Sequence, residues 1–381
     1  MMELGINRNY ILPKTEEFLL KLLELRAEDS AKSICEYCLQ AFREIPGLHL
    51  TKKVPGPEAG EFSMEFTWSG LGREKAVYFH AWMDDLPQPA EGPVTPAAVE
   101  GYIHGTGAAA GKSGVAALYG LMLELSRTYT RYPFDVKIHL TVGQRQSGAG
   151  SAALAAETDG QAMLLLEPTG GNLVTRHVGC LWMKLVTTGV ACHTSQVLPG
   201  KGGNAMVSMF SLLDELEALH GEYAAAVREE SDLRTFFNIG SFHSGVWIGA
   251  LAPRAEALVA VTLVPSPRTE AFVAACMELA KEKEATVEIL QSRECGGGKE
   301  LPEVFRDLPD CLHKVRCAGY AAGSEHPMDL GIYEKIAGIP VAAFGTSDPA
   351  VVATVREKIA EKDLLDTVQA MAFWLEKLSG K

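Results

Sequence analysis

The sequence predicts an α/β protein in which a mostly parallel sheet carries helices on both faces and is interrupted by an inserted two-layer α+β domain. Two observations predict this fold. Short apolar stretches alternate with helical patterns in both outer parts of the chain, as expected of parallel strands joined by helices. From about Val178 the strands instead alternate apolar and polar residues, which is typical of a half-exposed sheet. With 381 residues, the chain is long enough for two domains.

The first sixty residues are predicted to be helical. Leucines recur at helical spacing in FLLKLLEL, with Thr15 as the expected N-cap, and the pair Asp29 and Ser30 is expected to cap the next helix. Cys35 and Cys38 fall in that second helix. Because no second cysteine pair and no adjacent histidine accompany them, we interpret them as buried thiols rather than as a redox or zinc site.

Three buried strands and one long helix follow, and they define the predicted parallel sheet. The strands are AVYFHAWM (76–83), VKIHLTV (136–142) and AMLLLEP (162–168), and the helix is GVAALYGLMLELSRTY (114–129). Apolar runs of this length, joined by a helix, indicate strands that are buried on both faces.

The insert is predicted over residues 178–292. Its patterns run strand, helix, strand, strand, helix: CLWMKLVTTGV, NAMVSMFSLLDELEALHGEY, FFNIGSFHSGVWIGAL, AEALVAVTLV and TEAFVAACMELAKEK. The linker SRECGGGKELP then returns the chain to the first domain, which ends in the strand GIPVAAFG and the helix LLDTVQAMAFWLEKL. The first domain is therefore expected to comprise residues 1–177 and 293–381.

Composition and charge exclude several classes of partner. A net charge of -13, a pI near 5.3 and the lack of any Lys/Arg-rich run argue against nucleic acid and anionic membranes. No secretory signal pattern and no apolar stretch of about 18 residues is present, so we expect no membrane span. The eight cysteines are scattered, which favours reduced thiols and a cytoplasmic location.

The stretch HGTGAAAGKSG (104–114) looks like a phosphate-binding loop but has the wrong spacing. A Walker loop needs a glycine five residues before the glycine of Gly-Lys-Ser. Counting back from Gly111 gives Thr106, and the preceding EGYIHG is too short and too rich in glycine to be a core strand. Nucleotide binding is therefore disfavoured.

Taken in order, the motifs resemble those of the two-zinc exopeptidase and deacylase family, which includes aminoacylase, acetylornithine deacetylase, succinyl-diaminopimelate desuccinylase and carboxypeptidase G. The resemblance covers nearly the whole chain and implies a zinc-exopeptidase-like fold. The family has His-Gly-His-Met-Asp-x-Val-Pro where this chain has HAWMDDLP, which keeps His80 and Asp84. The second histidine of that motif, a zinc ligand, is Trp82 in this chain, and an indole has no lone pair for a metal.

The other metal-site motifs of the family are also altered. HGTGAAAGKSG matches Gly-Arg-Gly-x-x-Asp-Met-Lys-Gly-Gly and keeps the lysine as Lys112, but the metal-bridging aspartate is Ala110. The two glutamates that serve as general base and metal ligand correspond to Gln144 and Arg145. Of the two remaining ligand positions, the acidic one is kept as Glu167, and the histidine is replaced by Thr354.

The resemblance therefore implies a degenerate metal site, and we expect no metal and no cofactor. Glu167 is the only anion left among the equivalent ligand positions. Arg145 is expected to pair with it, because a buried carboxylate without a metal or a cation would be penalised by several kcal/mol.

A rearranged metal site is the alternative. His80, Asp84 or Asp85, Glu167 and His326 would gather around one zinc or other divalent ion, since three ligands and an open position are enough for hydrolysis. Against this, the family carries a histidine at the position of His80 that binds no metal, and a lone loop histidine such as His326 is more often an ordinary surface residue.

The insert keeps more of the family pattern. GVACHTSQVLPGKGGNAM retains His193 and Asn204 of Gly-x-x-x-His-x-x-x-Pro-x-x-Gly-x-Asn-Ala. In the family this histidine reaches the active site of a partner subunit, so the resemblance implies a homodimer formed through the insert, which acts as a dimerisation (lid) domain. Ala250 stands where the family usually has a substrate-binding asparagine.

The leading interpretation is a non-catalytic homologue that keeps a cleft between its domains for an amino-acid-like or peptide-like ligand. Six residues are expected to contact that ligand: His80, Arg145, Glu167, His193, Asn204 and His326. One alternative is an active hydrolase of N-acyl amino acids or short peptides with a rearranged metal site. Another is a regulatory or structural partner that dimerises with an active relative.

Overall fold

The computed structural model describes residues 6–26, 31–85, 92–196, 203–245 and 247–380, and within them the chain forms two compact units. Unit 1 consists of the residues up to Arg176, Gly297–Gly323, and those from Asp329 onward. Unit 2 consists of His177–Gly296 together with the short segment Ser324–Met328. Unit 2 thus contains the stretch for which the sequence predicts an insert, and it also takes up five residues from much later in the chain.

The helices and strands fall into three groups along the chain. Up to the insert they are α1 (Arg8–Glu24), α2 (Lys32–Arg43), β1 (Leu48–Pro55), β2 (Phe62–Trp68), β3 (Ala76–Trp82), β4 (Ala97–Val99), β5 (Tyr102–His104), α3 (Gly111–Thr128), β6 (Val136–Thr141), α4 (Ala149–Ala155), β7 (Gly160–Leu166) and β8 (Leu173–His177). The insert contributes β9 (Gly179–Thr188), α5 (Ala205–Val227), β10 (Phe237–Ser244), β11 (Arg254–Leu263), α6 (Thr269–Glu282) and β12 (Thr286–Arg293). The last part contains β13 (Gly296–Gly297), α7 (Leu308–Lys314), β14 (Ala321–Ser324), α8 (Leu330–Ile336), β15 (Val341–Phe344), β16 (Lys358–Ala360) and α9 (Glu361–Leu378).

The large sheet is mixed, with a parallel centre. Its strand order is β1-β2-β6-β3-β7-β15-β8-β13, and β14 pairs with β8. β3 runs parallel to β6 and β7, and β15 runs parallel to β7, whereas β1 and β2 form an antiparallel edge. The predicted mostly parallel sheet is confirmed.

Helices cover both faces of this sheet, as predicted. Adjacent residues of a strand point to opposite faces. Phe79 meets Trp374 of α9 with ring centroids 5.8 Å apart, whereas His80 meets Tyr333 of α8 at 5.4 Å. α1 and α9 both pack on α3, and α4 packs on α8. Cys35 is fully buried in α2, and burial raises the pKa of its thiol to about 12, which fits the predicted structural role.

Two predictions near the N-terminus are wrong. α1 begins after Asn7, whose side chain accepts the N–H of Tyr10, so Thr15 is not the N-cap. Instead, Thr15 is buried within the helix and donates to the carbonyl of Ile11 over 2.7 Å. Residues 48–55, expected to be helical, form β1, which pairs antiparallel with β2. The expected caps Asp29 and Ser30 lie outside the described residues.

Unit 2 has two layers. The antiparallel sheet β10-β11-β9-β12 packs against α5 and α6. Burial alternates along β11, where Ala257, Val259 and Val261 are buried and pack with residues of α5 such as Leu212. The inserted two-layer domain is thereby confirmed, although β12 was not predicted. In neither unit is a described helix both long and apolar enough to cross a membrane.

Candidate functional site

The candidate site residues of unit 1 lie where the parallel strands end. Trp82 is the last residue of β3, and Glu167 directly follows β7. Gln144 and Arg145 form a 3-10 turn shortly after β6. Since β6 and β7 flank β3 in parallel, these three ends lie at one edge of the sheet, which is where open α/β sheets place their ligands.

The indole of Trp82 binds the surviving carboxylate. Its Nε1 lies 3.2 Å from both Oε1 and Oε2 of Glu167. Both side chains are more than nine-tenths buried, with 4% of Trp82 and 7% of Glu167 exposed. A neutral N–H donor therefore contacts Glu167 at the position where the family resemblance implies a metal ligand.

Arg145 does not pair with Glu167, so that prediction is wrong. The Arg145 side chain is exposed and makes no ion pair within the described part of the chain. The turn explains its direction, because Gly143, Ser147 and Gly148 all adopt positive φ angles, of 94°, 60° and 75°. This backbone buries Gln144 and leaves the next residue in solvent.

Gln144, at the general-base position, is held by a residue that the sequence did not reveal. Its Nε2 donates to Oδ2 of Asp329 over 2.6 Å, and Ser151 Oγ donates to the same oxygen over 2.6 Å. Asp329 is fully buried and directly precedes α8. In the sequence, HPMDLG shows an aspartate just before a helical stretch, which marks Asp329 as a candidate helix cap. It does not show that Asp329 contacts Gln144, which lies 185 positions away in the chain.

Asp84 joins the ends of β3 and β6. Its Oδ2 accepts the backbone N–H groups of Gly143 and Gln144 over 3.0 and 2.8 Å. Its Oδ1 is buried and has no hydrogen-bond partner among the described residues. Burial raises the pKa of Asp84 to about 7, although the two backbone N–H groups act in the opposite direction.

His80 belongs to the protein interior. Its Nε2 lies 2.9 Å from Thr141 Oγ1 and 3.0 Å from Ser151 Oγ, and its side chain is fully buried. The same nitrogen lies 3.6 Å from Oδ2 of Asp329. A side chain enclosed in this way stabilises the interior, and the ligand contact expected of His80 stays a prediction.

The Gly-Lys-Ser loop serves as scaffold. Lys112 is buried, with its Nζ 2.7 Å from Asp85 Oδ1 and 2.9 Å from the carbonyl oxygen of Leu25. Glu357, also buried, accepts the backbone N–H of Ala109 over 3.2 Å. The lysine is thus engaged by protein oxygens, which accounts for its place in the loop without a phosphate.

The space beside Ala110 is almost filled. A cavity of about 10 Å³ lies there, lined among others by Ala110, Ser113, Glu167 and Ser347. Ser113 Oγ donates to the carbonyl of Ala110 over 2.8 Å and lies 3.3 Å from Ser347 Oγ. A cavity of this size accommodates about one water molecule.

The side chains at the metal-ligand positions do not fit a pair of zinc ions. Indole, methyl and guanidinium groups stand at Trp82, Ala110 and Arg145, and none of them donates an electron pair to zinc. The hydroxyl of Thr354 donates instead to the carbonyl of Val351 over 2.8 Å.

Three of the ligands expected of a rearranged single-metal site contact protein groups in unit 1. They are His80, which contacts Thr141 and Ser151, Asp85, which contacts Lys112, and Glu167, which contacts Trp82. Over the described ranges, no three His, Cys, Asp or Glu side chains converge as a metal site.

Unit 2 carries the other candidate residues. His193 is exposed, with its Nδ1 2.7 Å from Ser195 Oγ and its ring centroid 5.5 Å from that of Trp247. Asn204 is the N-cap of α5 and accepts the N–H of Met206 over 3.1 Å. His326 is exposed, and its backbone N–H donates to Ser324 Oγ over 3.0 Å.

Comparison with known proteins connects this chain to peptidases. A family model described as the peptidase dimerisation domain matches residues 175–288. A protein named "probable carboxypeptidase" from Aspergillus flavus is 26% identical over 250 residues, which cover 61% of this chain and 59% of that protein. A protein named "probable succinyl-diaminopimelate desuccinylase" from Staphylococcus aureus is 26% identical over 125 residues, which cover 32% of this chain and 31% of that protein. The chain thus spans about 59% of the length of the carboxypeptidase relative.

Solved structures share the fold over the whole chain. A tripeptidase from Staphylococcus aureus superposes with a TM-score of 0.77 at 18% identity, covering 99% of this chain and 100% of the other. An M20 family metallo-carboxypeptidase from Sulfolobus solfataricus superposes with a TM-score of 0.73 at 12% identity, covering 97% and 99%.

Proposed function

Because the chain belongs to the M20 family of exopeptidases and deacylases, we propose that it is a homodimer that has lost two-zinc amide hydrolysis. The observation that carries the proposal is the hydrogen bond from Trp82 to both oxygens of Glu167. Glu167, the acidic residue that survives at a ligand position, accepts a hydrogen bond from a neutral donor. That donor is the tryptophan that stands where the family has a zinc-binding histidine.

The position of the general base supports the same proposal. In a zinc hydrolase the metal lowers the pKa of a bound water, and a nearby carboxylate takes its proton. Gln144 has a carboxamide at this position, which does not take up a proton at neutral pH. Its Nε2 is moreover engaged by Asp329 over 2.6 Å.

Metal content and hydrolysis test the proposal together. Protein purified without chelators is expected to contain far less than one zinc ion per chain, as measured by inductively coupled plasma mass spectrometry. It is also expected not to cleave N-acyl amino acids or dipeptides with added zinc, cobalt or manganese. The matched control restores the family ligands in one variant, Trp82→His/Ala110→Asp/Gln144→Glu/Arg145→Glu/Thr354→His, which should bind more zinc. Two zinc ions per wild-type chain with metal-dependent hydrolysis would refute the proposal.

The homodimer is proposed to form through unit 2. The dimerisation-domain model matches this unit, and β10 is an edge strand of its sheet. Apolar side chains are exposed on β10 and on the neighbouring α5, where Val207, Phe210 and Ile239 are 61%, 50% and 43% exposed. Phe210 stacks on Phe242 of β10 with ring centroids 5.1 Å apart, which joins the two elements into one apolar surface. An exposed edge strand beside an apolar patch favours pairing with a second chain.

Sedimentation equilibrium tests this dimer. Phe210→Glu should shift the wild-type dimer toward monomers, because it places a charge in the apolar surface. Leu290→Glu on β12, at the opposite edge of the sheet, is the matched control, since Leu290 is also exposed, at 42%. A monomeric wild type, or equal effects of both substitutions, would contradict this interface.

The ligand is proposed to be a small anionic amino-acid-like or peptide-like molecule that Arg145 binds. A guanidinium exposed at the strand ends is suited to a carboxylate, which it contacts through two parallel N–H groups. Calorimetry with a panel of N-acetyl amino acids should show binding that Arg145→Ala removes and Arg131→Ala, at another exposed arginine, does not. The predicted cleft between the domains, the contacts of His193, Asn204 and His326, and a regulatory pairing with an active relative remain predictions.

A further inference from the structure

The unpartnered oxygen of Asp84 has a chemical explanation in the residue two positions earlier. Metal-binding histidines nearly always donate their second ring N–H to a carboxylate, a carbonyl or water. Trp82 has a single N–H, and that group donates to Glu167. It therefore has no donor left for Asp84, whose Oδ1 is buried without a partner among the described residues, while Oδ2 is engaged by two backbone N–H groups.

Gly111 leaves room for the indole of Trp82. A Cβ built on Gly111 would lie 2.3 Å from Cδ2 of Trp82 and 2.3 Å from its carbonyl oxygen, distances that real Cβ atoms essentially never show. The first turn of α3 thus packs on the end of β3 as closely as only a glycine permits. The family motif has a methionine at this position, so a larger side chain at 82 accompanies a smaller one at 111.

The indole connects three elements of unit 1. It is the last residue of β3, it donates to the residue after β7, and it packs on the first residue of α3. A metal ion held by ligands from these same segments would join them in the same way. An uncharged indole does so with one hydrogen bond and van der Waals contact, and it needs no bound ion.

We infer that Trp82 has taken over the structural role of the metal, and that Asp84 is the unpaired remainder of a carboxylate–histidine pair that once oriented a metal ligand at residue 82. The inference rests on the proposed loss of the zinc site. Trp82 is accordingly a positioning residue for Glu167 and for the start of α3. Among the described residues, the Asp84 carboxylate keeps its contact with the turn after β6.

The inference predicts that one substitution at Asp84 has opposite effects in two backgrounds. In the wild-type protein at pH 8, Asp84→Asn should raise the urea midpoint, because an amide keeps an acceptor for the two backbone N–H groups and removes an unpaired buried charge. In a Trp82→His background the same substitution should lower the midpoint, because Asp84 then accepts the imidazole N–H. Asp214→Asn, at an exposed aspartate, is the control and should shift neither background.

Shifts of Asp84→Asn in the same direction in both backgrounds would overturn the inference. If Trp82→His does not fold, Trp82→Gln supplies an alternative N–H donor for the same comparison. Asp84→Asn alone is also decisive, since a lowered wild-type midpoint would show that Oδ1 has a partner. These measurements are independent of the zinc assay. Zinc in the wild-type protein contradicts the proposed function, whereas a zinc-free protein in which Asp84→Asn does not have opposite effects in the two backgrounds contradicts only this inference.

Discussion

Changing Gln144 to glutamate should destabilise the protein in a strongly pH-dependent manner. The substitution keeps the size of the side chain but replaces the N–H donor with a second carboxylate. Oδ2 of Asp329 lies 2.6 Å from the atom that changes, and both residues are buried. Two carboxylates at this distance do not both remain ionised, so the new glutamate is expected to take up a proton.

The magnitude follows from the pH at which that proton must be held. An unperturbed glutamate has a pKa of about 4.3, and each pH unit above it corresponds to about 1.4 kcal/mol. Holding the proton at pH 8 therefore lowers the free energy of unfolding by up to about 5 kcal/mol, and at pH 5 by only about 1 kcal/mol. The folded variant binds more protons than the unfolded chain between these pH values, so its stability falls as the pH rises.

Urea unfolding followed by circular dichroism at pH 5 and pH 8 measures this difference. Gln146→Glu is the matched control, because Gln146 lies in the same turn but is exposed. The control should change the free energy of unfolding by about 0.5 kcal/mol or less at both pH values. If Gln144→Glu behaved like Gln146→Glu, the hydrogen bond to Asp329 would not hold Gln144, and the reasoning would be wrong.

Three further substitutions test the buried contacts around the site by urea unfolding. Trp82→Phe removes the donor to Glu167 and should lower the free energy of unfolding by about 2 to 3 kcal/mol. Trp182→Phe, at a tryptophan that is 41% exposed, is its control and should change the free energy of unfolding by less than about 1 kcal/mol. Lys112→Met leaves a buried carboxylate without its cation and should lower it by about 3 to 5 kcal/mol, so an unchanged midpoint would show that the ion pair is not formed. Gly111→Ala should destabilise through its clash with the indole, whereas Gly221→Ala, in open space on α5, should stabilise by about 0.5 to 1 kcal/mol; similar effects would contradict the close packing at residue 111.

The parallel centre of the fold was predictable because its strands are continuously apolar. AVYFHAWM and AMLLLEP are too short for core helices and are flanked by turn residues, and the structure has β3 and β7 there. β1 was missed because LHLTKKVP carries two adjacent lysines, Lys52 and Lys53, which interrupt the alternation of its apolar residues. Its apolar positions become a strand only through pairing with β2, which is a contact that local periodicity does not contain.

The candidate site was predictable in its positions but not in its contacts. Motif register placed Trp82, Gln144 and Glu167 correctly at neighbouring strand ends, because parallel strands bring their carboxyl ends together. Counting charges led to an Arg145–Glu167 pair, whereas the positive φ angles of the turn direct Arg145 into solvent. Asp329 was missed because only the tertiary fold brings it to Gln144.

The close fit of Trp82 and Gly111 has an evolutionary consequence. A histidine at 82 is smaller than the indole and leaves part of its buried space unfilled, and a methionine at 111 collides with the indole, so each change made alone is expected to lower stability. Natural proteins have only about 5 to 15 kcal/mol of stability to lose. On the proposed function, single substitutions toward the family motif therefore each lower the stability of the protein, and this epistasis opposes the stepwise recovery of a two-zinc site.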